Sequence, residues 1–231
     1  MSNYYQSLAD IGSHESFLKK VGDFTGMTNS FWVTYVENST ACILYGKGSY
    51  ILTAGTVIGA NALLKTNNAK VEIVSTIGDI IRLDVNSEFC IEHTLEGLAP
   101  VFYGSVMVFP INNKGKGSHG KYRTSCWTAC SDGDYLIKNI DETTDRYYSF
   151  EGAYDVYEYD EQGKKFLITH LEPFQTCDLY FDHTKPCRDA YKIINTADLT
   201  ASEITDIYTK YVIPIDWNEK FSDQKCNRKA S

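Results

Sequence analysis

No run of apolar residues in this chain approaches the length of a membrane span, so no transmembrane helix is expected. Basic residues are not in excess. The net charge is −8, and a general nucleic-acid binder needs a cationic face to displace counterions from phosphates. Neither a membrane nor a specific nucleic acid is therefore expected as a partner. The seven cysteines are odd in number and irregular in spacing, and the polar N-terminus carries no apolar signal core. The expectation is free thiols in a cytosolically made protein, not a disulfide framework. Internal repeats and low-complexity segments are also missing.

Catalytic signatures are absent in an informative way. Tyr50-Ile51-Leu52-Thr53-Ala54-Gly55 is similar to the strand that leads to the general-base histidine of trypsin-like proteases, but Gly55-Thr56 stands where that chemistry needs an imidazole. Cys130-Ser131-Asp132-Gly133-Asp134 scrambles the nucleophile signature, which leaves only His93 or His170 with Cys90 or Cys177 as a thiol alternative. Residues 115–121 match a phosphate-binding loop as far as Lys121, but Tyr122 replaces the Ser or Thr that would hold Mg²⁺, and the segment that follows reads as strand. Lys114, Lys116 and Lys121 are left as contacts for a phosphate or nucleotide by charge alone. Cys177, His183 and Cys187, with His170, fit no standard zinc spacing. The carboxylates Asp155, Glu158, Asp160 and Glu161 read as a solvated hairpin tip. No catalytic residue, no metal and no required cofactor are expected.

What the chain has in abundance is aromatic residues, 17 Tyr and 11 Phe among 231 residues. Tyrosine combines a large apolar surface with a hydroxyl that bonds across contacts. Six tyrosines fall in residues 147–182, which read as one long strand, a tight turn at Asp160-Glu161-Gln162-Gly163, a returning strand and a further strand behind it.

The rest divides into an N-terminal helical arm, 1–25, and a body, 26–231. Tyr4, Leu8, Ile11 and Leu18 mark one face of the arm. In the body, strands are expected at 31–36, 41–45, 50–52, 71–76, 80–85, 101–109, 122–128 and 135–140. A short helix is expected at 56–66, bearing Val57, Ile58, Leu63 and Leu64. Thr200-Ala-Ser-Glu203 forms a capping box for a helix at 201–212, with Ile204, Ile207, Tyr208 and Tyr211 on one face. The fold class is mainly β with helices (α+β): an antiparallel β-sandwich with a projecting N-terminal helix and a C-terminal helix.

Residues 31–64 and 150–180 resemble the polyhedrins of cypoviruses, the occlusion-body proteins of cytoplasmic polyhedrosis viruses. The first stretch carries Trp32-Val33, Tyr35, Ile43-Leu44, Lys47-Gly48-Ser49-Tyr50 and Ala62-Leu63-Leu64-Lys65. The second carries Phe150-Glu151, Tyr157, the Asp160…Gly163 turn and Leu171-Glu172-Pro173. The resemblance implies trimers that pack through their N-terminal helices into crystals in the host-cell cytoplasm, with virus particles embedded and nucleotides held in the lattice. Such an assembly must be stable at neutral pH and dissolve in alkali. A phenol is a neutral contact residue below its usual pKa of about 10 and an anion above it. Tyr4, Tyr5, Tyr147, Tyr148, Tyr154, Tyr157 and Tyr159 are accordingly expected to form lattice contacts and the alkaline trigger. The alternatives are a degenerate trypsin-like viral protease and a viral capsid or spike domain.

Overall fold

The computed structural model describes residues 31–59, 62–75, 79–94, 97–109, 122–130, 133–150 and 152–211. The helical arm at 1–25, with Tyr4 and Tyr5, lies outside them, as do Lys114, Lys116 and Lys121.

Two nine-stranded sheets pack face to face as a β-sandwich. Sheet I holds β1 (Phe31–Val36), β4 (Val57–Ile58), β6 (Val71–Ser75), β7 (Ile80–Leu83), β10 (Ser105–Phe109), β13 (Tyr135–Asp141), β14 (Thr144–Ser149), β17 (Gln175–Phe181) and β18 (Tyr191–Asp198). Sheet II holds β2 (Cys42–Tyr45), β3 (Gly48–Ile51), β5 (Ala62–Lys65), β8 (Glu88–Thr94), β9 (Gly97–Tyr103), β11 (Tyr122–Arg123), β12 (Trp127–Cys130), β15 (Tyr154–Tyr159) and β16 (Lys165–Leu171). Two helices join them, α1 (Cys187–Ala190) and α2 (Ala201–Lys210).

The sheets run side by side in the orders β4-β1-β6-β7-β10-β13-β14-β17-β18 and β3-β2-β5-β8-β9-β11-β12-β15-β16. From β5 onward the chain lays down one or two strands in one sheet, crosses to the other, and repeats. It thus advances from a β3/β4 end to a β16/β18 end. Among the described strands, pairing is antiparallel except for β9 with β11.

The crossings explain several sequence features. Gly104 is the sole residue between β9 and β10, where the chain changes sheet; its φ is +95°. A Cβ there would sit 2.6 Å from the Ser87 side chain and 2.8 Å from the Ser87 backbone, so only glycine fits. This corner divides the long strand expected at 101–109. The strand read from Tyr147 to Tyr159 is likewise divided: Tyr147 and Tyr148 belong to sheet I, Tyr154 onward to sheet II.

The helix expected at 56–66 is replaced by β4 and β5. Their apolar residues do not share a helix face. Ile58 pairs with Phe31 in one sheet, and Leu64 pairs with Ile43 in the other, both buried between the sheets. Pairing with distant strands overrides a pattern that, over so short a window, suits either structure.

Between the sheets runs a file of rings in contact, Phe31, Phe89, Phe102, Tyr122, Tyr135, Tyr154 and Tyr147, with neighbouring centroids 4.7–6.4 Å apart. Part of the outer face of sheet I is buried as well. There α2 lays Ile204, Ile207, Tyr208 and Tyr211 over Met107, Leu136, Tyr148 and Phe150. The Thr200–Glu203 capping box starts the helix, and its end is pinned from below. Lys70 Nζ donates to the Lys210 carbonyl at 2.7 Å, and Arg82 Nη1 donates to the Tyr211 carbonyl at 2.8 Å. Arg82 also pairs with the buried Glu72 at 3.0 Å, whose other oxygen accepts from Thr34 at 2.7 Å.

Candidate functional site

The tyrosines singled out in the sequence are not brought together on a surface. Tyr147 and Tyr154 stand in the central file with no exposed area. Tyr157 is equally buried, but on the other side of its strand, with Ala99, Trp127 and the half-buried Tyr159. The Lys165 ammonium lies 3.7 Å from the Tyr157 ring centroid. Tyr148 is covered by α2. A phenol without exposed area in the folded chain makes no contact with another copy. The assignment of Tyr147, Tyr154 and Tyr157 to lattice contacts is therefore corrected: they belong to the packing of the domain itself, and Tyr148 packs beneath α2 with 7% of its surface exposed.

Of these, Tyr147 is held neutral. Burial pushes the Tyr147 phenol well above its ordinary value, and Asp145 nearby adds to the effect. Tyr147 Oη lies 3.1 Å from Thr124 Oγ1 and donates to Asp145 Oδ2 at 3.2 Å. Asp145 is itself buried and also accepts from Asn139 at 3.0 Å and from the Ser125 amide at 3.2 Å. Tyr122, found by neither spacing nor resemblance, repeats the arrangement. Its hydroxyl donates to the buried Asp79, and burial followed by that carboxylate raises its pKa well above the usual value. Two phenols of the core file thus each face a carboxylate.

The hairpin carboxylates are less solvated than their sequence suggests. Asp160 is buried at the turn, where it accepts from the amides of Gln162 (3.1 Å) and Lys164 (2.8 Å) and from Arg188 (2.6 Å). The Arg188 guanidinium holds its carboxyl below the usual range. Glu158 is buried beside Arg123 at 3.3 Å, while Asp155 is half-buried and paired with His170 at 2.6 Å. The thiols have the wrong environment for nucleophiles: burial pushes Cys177 up to about 12, and burial with Glu92 does the same to Cys90. Among the described residues no three His, Cys, Asp or Glu side chains converge as a metal site.

A different surface stands out. The edge strands among the described residues are β4 and β18 in sheet I and β3 and β16 in sheet II. Large exposed apolar side chains gather on three of them: Tyr50 (60%) and Ile51 (66%) on β3, Leu167 on β16, and Ile193 and Ile194 on β18. Tyr45 lies on β2, next to β3. The sequence held the signal for this surface only in part, because an edge is defined by what a strand lacks as a neighbour.

No family model matches the chain, and no curated protein matches it. Among solved structures, a crystal structure described as that of a candidate anti-sigma factor from Parabacteroides distasonis aligns with a TM-score of 0.44 and 13% identity, covering 62% of each chain. The chain thus spans less than two thirds of that protein, and a likeness at this level carries no argument about function.

Proposed function

We propose that this chain is a non-enzymatic structural protein whose copies assemble into intracellular crystals of the occlusion-body kind, in the host-cell cytoplasm, around virus particles. The observation that carries this reading is the gathering of exposed apolar side chains on edge strands. An edge offers unpaired backbone N–H and C=O groups, and an apolar edge is a template for another chain. A protein selected to remain monomeric blunts such edges with charge, proline or a covering segment. The sequence resemblance points the same way, and trimers and lattice-bound nucleotides enter the reading from that resemblance alone.

Alkaline release is part of the proposal, with its seat moved. The phenols that respond are those between the sheets, so high pH loosens the subunit itself and the array fails with it. The test is to express the full chain alone in insect cells. Refractile intracellular crystals that dissolve in alkali are expected. A diffuse soluble product at high expression overturns the reading and favours a capsid or spike domain.

A further inference from the structure

The four edges are not equivalent. β4 has two residues, β3 four, β16 seven and β18 eight. β18 is also the most open: every residue from Lys192 to Asp198 is exposed, including Ile193 and Ile194. It contains no proline, and its interior, Ile193-Ile194-Asn195-Thr196-Ala197, carries no charge. Its one irregularity is a register slip against β17 between Asp178 and Leu179, which leaves Ile194 as the extra residue. Its charges sit near the two ends, Lys192 at one and Asp198 at the other.

We infer that β18 is a docking edge for β18 of a second copy, paired antiparallel across a two-fold axis, so that sheet I runs on from one molecule into the next. This rests on, and deepens, the self-assembly reading above. Two observations select the occupant. The first is length. A head-to-tail contact within sheet I would set the eight residues of β18 against the two of β4, whereas β18 against itself matches over the seven residues Lys192–Asp198. The second is charge. Antiparallel alignment brings Lys192 of each copy toward Asp198 of the other; parallel alignment would set lysine beside lysine and aspartate beside aspartate, which is unfavourable. A two-fold contact uses the same patch twice, so each favourable or unfavourable pair counts double. Main-chain hydrogen bonds would supply affinity, and the exposed isoleucines would be covered from both sides.

The test uses the full-length protein and sedimentation equilibrium, with circular dichroism to check that each variant keeps its β-sheet signal. Lys192→Asp and Asp198→Lys, made singly, set like charges against each other and are expected to weaken association about tenfold. The double exchange, Lys192→Asp with Asp198→Lys, rebuilds the opposite pairs and is expected to return association to within about twofold of the wild type. Because Asp198 also accepts from Gln175, Ile194→Lys serves as an independent edge-blocking variant with the same expected loss. Single variants that associate as the wild type does, or a double exchange that fails to rescue, overturn the β18 pairing while self-assembly stands. A wild-type chain that stays monomeric and never crystallises in cells overturns both.

Discussion

Among the described residues, two groups of phenols stand at opposite extremes. Tyr122, Tyr135, Tyr147 and Tyr154 are enclosed between the sheets, while Tyr45, Tyr50 and Tyr103 lie exposed on sheet II, two of them on its β2–β3 hairpin. The same side chain serves opposite ends. Inside, its ring fills space, and at Tyr122 and Tyr147 the hydroxyl stays protonated, because a phenolate there loses hydration and confronts a carboxylate. Outside, the ring is left exposed. Alkali therefore acts on the interior as a destabiliser of the fold, and substitution of the exterior has little effect on the fold.

The largest expected effect is on the pH dependence of unfolding. The folded pKa values of Tyr122 and Tyr147 are raised, while the unfolded chain has phenols near 10. The stability these groups confer is complete below about pH 10 and is lost above it, as the unfolded state sheds protons that the folded state retains. Each such phenol contributes about 1.4 kcal/mol per pH unit in that range. The part of the phenolate absorbance that belongs to the buried rings should rise only with loss of β-sheet circular dichroism; ionisation of every tyrosine while the sheet signal holds would break the contrast.

Next in size, Tyr154→Ala should cost about 3–5 kcal/mol in denaturant unfolding, and Tyr50→Ala less than about 0.5 kcal/mol. Equal costs would erase the distinction between the populations. Arg82→Ala should cost a comparable 3–5 kcal/mol by removing the cation that faces the buried Glu72, so polar groups also hold the interior. Gly104→Ala follows at about 2–3 kcal/mol, from strain at positive φ and the clash with Ser87. The smallest and sharpest case is Tyr147→Phe. It should cost about 1 kcal/mol at neutral pH, through loss of its hydrogen bonds, and yet reduce the steepness of alkaline unfolding by about 1.4 kcal/mol per pH unit.

Much of the fold was legible because it rests on local rules. β1 occupies Phe31–Val36 as its aromatic and β-branched run suggests, the Asp160…Gly163 turn closes a hairpin, and the Thr200–Glu203 capping box starts α2. The helix expected at 56–66 failed because Val57, Ile58, Leu63 and Leu64 fit two short strands as well as one helix face. β8 escaped notice although Phe89 and Ile91 alternate with Glu88 and Glu92, a signal that was there to use. β18 escaped for a physical reason. Exposed from Lys192 through Asp198, it has no buried face to impose alternation. The candidate site was legible as a tyrosine excess, but whether a ring faces a neighbour or the core depends on sheet crossings that one-dimensional spacing does not contain.

The winding order of the strands has a kinetic consequence. Sandwiches usually fold slowly because strands distant in sequence must find one another. Here most strands added after β5 lie beside one placed shortly before, so loops close over short lengths and each completed turn offers a prepared surface to the next. Refolding should therefore be faster than the strand content alone suggests, and a nascent chain can build its core progressively as it leaves the ribosome. Early completion limits the time during which half-built sheets are open to the wrong partner.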